Sequence, residues 1–517
     1  MIGHERAEIA MREPHVIIVG GGPVGLTAAL FLSRAGIRTT VLEREHQPST
    51  HPKARGIRTR TMELFAQLGL TEQIRRGALP PEATRFIYCD SIIGHEIART
   101  PPMDAELSRL SPASTCRTPQ DRVHEVLYNA ASRRHNVQIR TGMTVTDVTN
   151  HDHHATVQCA NGETLDGDYV IGADGVASTI RHALGIRMEG QPVLGFGQSI
   201  YWQGDLRQWV GDRQCIQFFT GDRAGQPASV ASVDGHHRWI TMVMSPGEHR
   251  PDPLDEEAAE LVIAKAVGLD VQPHVIDIAV WRISAQVAEC WRRGRVFLAG
   301  DAAHSFPPTG GFGMNTGIQD VHNLAWKLAY VLQGRAGESL LDTYEVERAG
   351  IAWSNAEWSV RNGARIRQVG DAIRADDKER LHLLIEEQRS HVEALHQDLG
   401  FGYTKGAVVA AVRPEGGNPL LVARTGHRFP EAAIRVDERW ASSVLSFPEN
   451  RFTLVTPDPD HWQSATAAQG IALAECSRSV LPENAAALVR PDGIVAWLAS
   501  GCDGILQFPG IIEELLR

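Results

Sequence analysis

The chain has 517 residues, 43% of them hydrophobic, and carries 51 Lys and Arg against 62 Asp and Glu, a formal net charge of −11. At roughly 150 residues per domain this is about two to four domains with apolar content for large cores, which excludes disorder, collagen and coiled coil. An acidic balance without a basic block repels phosphate backbones and anionic lipid, so the expected partner is a small molecule, with neither nucleic acid nor a membrane surface.

Residues 1–13 are rich in charge and read as a frayed tail. Val16-Ile17-Ile18-Val19 is a β-branched run suited to a strand buried on both faces, and it is too short for a membrane span or a signal core. It ends in Gly20-Gly21-Gly22-Pro23-Val24-Gly25, leads into an apolar helical stretch over 24–35, and is followed by a second strand over 39–42 that runs into Glu43. In this βαβ unit Gly20 makes the tight turn, Gly22 lets a pyrophosphate approach the backbone, Gly25 allows close helix packing, and Glu43 can accept from ribose hydroxyls. A glycine-rich turn can be purely structural; the flanking strand and helix and the acid at the end of the second strand point to a dinucleotide.

From 137 to 170 the pattern changes to short alternating strands with polar turns, including Asn161-Gly162, which predicts a small antiparallel meander. Gly172-Ala173-Asp174-Gly175 follows and, taken alone, is a turn. Strand-like runs separated by Gly, Pro and Asp turns continue from about 195 to 281 and read as a separate sheet. Within it Trp202, Phe218, Trp239 and Trp281 are core aromatics or, on a ligand-facing side, pocket residues.

The apolar strand 296–299 leads into Gly300-Asp301-Ala302-Ala303-His304 and then Pro307-Pro308-Thr309-Gly310-Gly311-Phe312-Gly313-Met314-Asn315. Asp301 thus stands at a strand's carboxyl end, where open α/β sheets bind ligands. A long helix is predicted from about Asn315, with apolar residues at Ile318, Val321, Ala325, Leu328 and Leu332, and more helices continue to about 397. Strands return over 452–455 and 471–474, with a hairpin turn at Arg490-Pro491-Asp492-Gly493.

Seven cysteines, at 89, 116, 159, 215, 290, 476 and 502, are too dispersed for a CxxC pair or a zinc site and suit reduced thiols in a cytoplasm. His151, His153 and His154 cluster at a turn without a second ligand group, so a solvated loop is expected and no metal.

The succession GxGxxG, Asp174-Gly175, Gly300-Asp301 and PPTGGxGMN resembles the class A flavoprotein monooxygenases, the family of p-hydroxybenzoate hydroxylase, phenol hydroxylase and the aromatic polyketide hydroxylases. That resemblance implies a Rossmann-type α/β FAD-binding domain with an inserted antiparallel-sheet substrate domain. Thr425-Gly426-His427-Arg428-Phe429-Pro430 and the stretch around Pro491-Asp492-Gly493 resemble the thioredoxin-like C-terminal domain of the larger members, here without CxxC. The implied boundaries are 14–190 and 284–399 for the FAD domain and its long helices, 191–283 for the substrate domain and 400–517 for the tail.

The resemblance places the FAD on Gly20, Gly22, Pro23, Val24, Gly25, Glu43 and Arg44, its ribityl chain near Asp301, and its pyrophosphate beside Asp174 and Gly175. It further implies that Arg55, in Pro52-Lys53-Ala54-Arg55-Gly56, contacts flavin, with Lys53 where the family carries another arginine; that Gln120 meets the phosphate or ribityl region; and that Pro308, Gly311, Gly313, Met314 and Asn315 orient the ring, Pro308 and Arg55 nearest the chemistry.

The implied reaction consumes NADH or NADPH, which binds transiently, and O₂, and passes through a C4a-hydroperoxyflavin that hydroxylates a phenolic or hydroxylated heteroaromatic ring of a secondary metabolite, such as an antibiotic polyketide, or of an aromatic-degradation intermediate. A phenol titrates near 10, so forming phenolate at neutral pH requires a shift of about 3 units, roughly 4 kcal/mol, from a group the residue pattern does not identify. A Baeyer–Villiger oxygenase and a catalytically silent flavin-binding protein are the alternatives, and a homodimer is compatible with the resemblance. A halogenase is disfavoured because GWxWxIP is absent.

Overall fold

The computed structural model describes residues 13–517 apart from 82, 104, 226, 270, 410–415, 437, 448–449 and 501–503. Residues 1–12 of the charged tail and Cys502 lie outside the described residues. Strand β1 (His15–Val19) has every side chain buried, and α1 (Pro23–Arg34) returns the chain to β2 (Arg38–Glu43), parallel to β1 in the register Ile17↔Thr40. The connection onward carries four short strands among the described residues, β3 (Gly56–Ile57), β4 (Phe86–Cys89), Glu96–Arg99 and β5 (Cys116–Arg117), with β3 and β5 paired antiparallel.

The first sheet has six strands in the order Arg292–Arg293, Val296–Leu298, Tyr169–Gly172, β1, β2, Val137–Thr141. The meander expected over 137–170 is therefore confined to Val145–Asn150, Ala155–Cys159 and Thr164–Gly167, while the strands on either side pair parallel with β2 and β1. Segments of four to six residues alternate alike in either kind of sheet, and the long-range partner decides which one they join.

A second, eight-stranded sheet holds β6 (Met188–Gln203), β7 (Gln217–Thr220), β8 (Ala228–Ser232), β9 (Arg238–Ser245) and β10 (His274–Ala288), together with β4, Glu96–Arg99 and His304–Ser305. It thus draws strands from well outside 191–283. One face is covered by α2 (Glu256–Val267), capped by the Asp255 side chain, which accepts from Ala258 N at 2.9 Å, and closed by Gly268 at φ 87°. Trp202, Phe218 and Trp239 point to this covered face and pack with Ile263 and Val267 in a sealed core. This corrects the reading of the three as pocket residues: strand alternation turns them toward α2. Trp281 lies instead over Gly197, on the other face, and stays half-buried.

Three long helices follow, α3 (Gly313–Leu332), α4 (Ser339–Arg374) and α5 (Lys378–Glu393). The predicted stripe on α3 is too narrow, since every residue from Asn315 to Tyr330 is buried. Val321 and Leu328 face the first sheet's core, Ile318 the core beneath β3, and Trp326 and Tyr330 the C-terminal sheet. That last sheet also has six strands, in the order Arg439–Ser442, Ala433–Val436, Ala472–Cys476, Thr453–Thr456, Ala485–Val489, Val495–Ser500.

A buried ionic hub joins it to the rest. Glu347 on α4 accepts from Lys327 of α3 at 2.8 Å and from both terminal nitrogens of Arg490 at 2.8 and 2.9 Å; Arg490 also pairs with Asp492, whose carbonyl accepts from Arg60 at 2.7 Å. Burial alone would raise the Glu347 carboxyl, yet Arg490 and Lys327 hold it below its usual range. Replacing Glu347 by Gln leaves buried Lys327 without its carboxylate and Arg490 with Asp492 alone, and we expect a loss of about 3–5 kcal/mol in urea unfolding. A variant within about 1 kcal/mol of wild type would show that the hub does not hold the domains together.

Candidate functional site

At the end of β1 the chain turns at Gly20, whose φ is +108° and whose N–H donates to Leu42 O at 2.8 Å. A Cβ there would lie 2.3 Å from Ala173 O, and one on Gly25 would lie 2.0 Å from Gly20 O, so both glycines are required by contact. A Cβ on Gly22 would meet nothing within 4 Å, so open space faces it. Helix α1 starts there with Pro23 and has neither a side-chain cap nor an acid in its first turn, leaving N–H groups and the positive helix end for an anion. Glu43 closes one side: Oε2 accepts from Gly21 N at 2.7 Å and Oε1 from Glu45 N at 2.9 Å. Val24 is a packing residue against Gly300 and Gly317, and Arg44 is exposed and pairs with Glu45.

The second motif folds against the first through Ala173. Both Asp174 oxygens are used locally: Oδ1 accepts from Ser178 Oγ and Oδ2 from Ile180 N in the first turn of the helix Thr179–Ala183, which Ser178 caps. Gly175, at φ +84°, faces open space. Arg181 then ties this loop to the third motif by donating to Ala302 O at 3.0 Å.

Asp301 differs from these satisfied carboxylates, because it accepts no hydrogen bond from any of the described residues. Protein surrounds it, yet over a third of its own surface is accessible, the signature of a group lining an internal cleft. Burial pushes its carboxyl upward, against His304 and Lys53, which favour the charged form. His304 is packed beneath, stacked on Phe306 at 4.6 Å with Nε2 2.7 Å from Asp320, a carboxylate that also accepts from Arg348 at 2.9 Å.

The glycine loop runs from Pro308, exposed to the cleft, to Gly311, whose N–H donates to Pro308 O at 3.1 Å. Helix α3 then begins without a side-chain cap. The Asn315 side chain is occupied: Nδ2 donates to Gly56 O at 2.9 Å and Gly311 O at 2.6 Å, and Oδ1 accepts from Arg58 N at 2.9 Å. Its amide clasps β3 to the loop, so only its backbone is left to meet a ring. Met314 packs against the core beneath β3.

Arg55 crosses the cleft to the carbonyls of Ile216 and Ser232, at 3.3 and 3.4 Å, and burial lowers its guanidinium to about 10. Gln120 opens the helix Gln120–Ser132, its N–H donating to Ala54 O at 2.7 Å. Contacts through Ala173, Val24 and Arg181 thus gather the turns at Gly20–Gly25, Gly175 and Gly300–Asp301 around one opening beside the start of α3, whereas Trp202, Phe218 and Trp239 are sealed in the core under α2. Residues that pattern reading passed over also belong there: His124 Nε2 lies 2.8 Å from Gly21 O, and Tyr201 OH accepts from Arg238 Nε at 2.7 Å with His51 edge-on to the Tyr201 ring at 5.7 Å. They come from separate elements and carry no local motif.

These features fit a dinucleotide: open glycines at two turns, two uncapped helix starts and an unsatisfied carboxylate between them. The FAD binding domain family model matches residues 13–359, and the aromatic-ring hydroxylase C-terminal model matches residues 422–508. The chain is 34% identical to the tetracenomycin A2 monooxygenase-dioxygenase of Streptomyces glaucescens, covering 95% of this chain and 94% of that protein. It is 31% identical to the 4-methyl-5-nitrocatechol 5-monooxygenase of a Burkholderia species, over 94% of each. Among solved structures it resembles the flavin-dependent monooxygenase PieE in complex with FAD and substrate, with TM-score 0.86 and 27% identity over 98% of this chain and 99% of that one.

The Asn315 clasp is testable. Asn315→Ala strands Gly56 O, Gly311 O and Arg58 N, and should lower the stability seen in urea unfolding by about 1–3 kcal/mol. An unchanged midpoint would contradict the clasp.

Proposed function

The chain belongs to the family of FAD-dependent aromatic-ring hydroxylases, and on that premise we propose which of its residues carry an NAD(P)H-consuming hydroxylation of a phenolic or hydroxylated heteroaromatic ring. The observation that carries the assignment is Asp301, an accessible carboxylate that accepts no hydrogen bond from the described residues and lies between two uncapped helix starts. Its oxygens are free to accept from a ligand, and ribityl hydroxyls are donors of the right kind.

In this reading the backbone at Gly22 and the start of α1 hold the pyrophosphate, Glu43 a ribose, and Gln120, Arg55 and Gly175 the middle of the cofactor. FAD held there would, after reduction by a nicotinamide, activate O₂ for transfer of one oxygen atom to the ring; the protein orients, encloses and balances charge. Pro308, Gly311 and the backbone at Gly313, Met314 and Asn315 face the ring, and the positive end of α3 favours electron-rich states there. Glycines at 310 and 311, at φ +127° and +67°, let the loop wrap closely enough to exclude water.

Relatives named for tetracenomycin A2 and for 4-methyl-5-nitrocatechol support a hydroxylated aromatic substrate. A cytoplasmic location belongs to the same proposal, supported by the six free cysteines among the described residues; among those residues no helix is long and apolar enough to cross a membrane. A homodimer is the assembly we propose from the family resemblance.

Two experiments test the assignment. Asp301→Ala should purify largely without yellow colour, and stoichiometric retained flavin would remove Asp301 from the site. Anaerobic stopped-flow mixing of the holoenzyme with NADH and NADPH, across phenols, hydroxypyridines and polycyclic phenols, should reveal a compound that accelerates bleaching by orders of magnitude. Reduction indifferent to every compound would contradict a substrate-gated hydroxylase.

A further inference from the structure

Deeply buried guanidiniums in this protein meet acceptors. Arg58 donates to Val392 O at 2.7 Å and to Gly310 O, Arg348 to Asp320, Arg428 to Leu110 O at 2.7 Å, and Arg490 to Glu347 and Asp492. Arg117 is different. Its Nε is buried without a hydrogen-bond partner, and among the described residues no carboxylate pairs with it. Burial and the neighbouring charges of Arg58 and Arg55 lower it to about 9, so the surroundings oppose its charge and do not balance it.

The local fold explains how it came to face the cleft. Strands β3 and β5 pair with Gly56 opposite Arg117 and Ile57 opposite Cys116. Ile57 and Cys116 turn into the core beneath. The alternate face therefore carries Gly56 and Arg117, and Nη1 of Arg117 lies 2.6 Å from where a Cβ of residue 56 would stand. Glycine at 56 is what leaves room for the guanidinium. On one side Arg55 crosses to the β7 and β8 ends of the second sheet, and on the other Arg58 reaches the 308–315 loop and the last turn of α5.

The nearest acid, Asp398, is already engaged, accepting from Thr59 N and Arg60 N at 3.0 Å each. His391, packed on the Phe86 ring at 5.1 Å, is kept neutral by burial and by these arginines and supplies no counter-charge. Arg58 and Arg117 thus share one carboxylate that is already engaged, and Arg55 beside them brings no acid of its own. A buried cation without an acceptor is costly, and a planar fork with free Nη groups is matched by a carboxylate.

We propose that Arg117 is the specificity residue of the substrate pocket and takes a carboxylate carried by the aromatic substrate, so that the preferred substrates are hydroxylated aromatic acids. This rests on the reading of the cleft as the FAD and substrate site. The carboxylate would sit on Arg117 with Arg55 adjoining it, leaving the phenolic ring to face the 308–315 loop.

The test titrates the holoenzyme at neutral pH with a hydroxynaphthoate, its carboxamide and the parent naphthol, following the perturbation of flavin absorbance. Flavin content and reduction by NADH and NADPH are measured on the same samples. Wild type should bind the acid about 10- to 100-fold more tightly than the amide or the naphthol, the range expected for a charge-assisted hydrogen-bonded pair. Arg117→Met should abolish that preference while retaining flavin, and Arg117→Lys, which keeps the charge if the Met variant fails to fold, should weaken the acid selectively. Equal affinities in wild type, no binding of the acid, or a preference that survives in Arg117→Met would each overturn the proposal, as would loss of flavin from Arg117→Met. Failure of the underlying reading appears separately, as wild-type protein that holds no FAD or is not reduced by either nicotinamide.

Discussion

Close backbone contact at the carboxyl end of β1 is the constraint on which the rest depends. Gly20 sits against Ala173, Gly25 against Gly20, and Gly317 against Gly300 and Val24, each at a distance no side chain tolerates. These contacts bring turns from three distant parts of the chain, near residues 20, 173 and 300, to one point, together with the start of α3. Since protein interiors are close-packed, removing room at any one of them shifts all three. The cleft is the space those turns leave between them.

Around that point a frame of polar groups pairs across elements: Asp320 holds His304, Arg348 and the Gly300 N–H, Glu347 holds Lys327 and Arg490, and Asn315 clasps β3 to the glycine loop. Asp320 and Glu347 are held below their usual range although burial alone would raise them. Their contribution to stability is therefore present above the unfolded carboxylate range and is lost as pH falls through their folded values. Asp301 and Arg117 stand apart from this frame, the one an accessible carboxylate that accepts no hydrogen bond from the described residues, the other a guanidinium without a carboxylate partner among them.

Pattern reading reaches only part of this arrangement. Asp174 and Asn315 stand where family motifs place cofactor contacts, and the structure adds that their side chains are taken up by local hydrogen bonds. The aromatic residues at 202, 218 and 239 alternate correctly for strands, and alternation cannot tell which face α2 will cover. The strands at 137–141 and 169–172 look like their meander neighbours until β2 and β1 claim them.

By itself the amino-acid order determined what depends on spacing along the chain: the βαβ unit with its GxGxxG turn and Glu43, Asp301 at a strand's carboxyl end, a long helix after the glycine loop, and a C-terminal sheet without CxxC. Such features need only neighbouring residues, because turns, caps and periodicity are local. What only the tertiary structure decided is which polar groups find partners. Arg117, Arg55 and Arg58 carry the same charge in the sequence; one is left without an acceptor because Gly56 seats it over the cleft, while Arg58 meets the carbonyls of α5 and the glycine loop. Hydrogen-bond satisfaction is a property of groups brought together across hundreds of residues, and no local pattern encodes it.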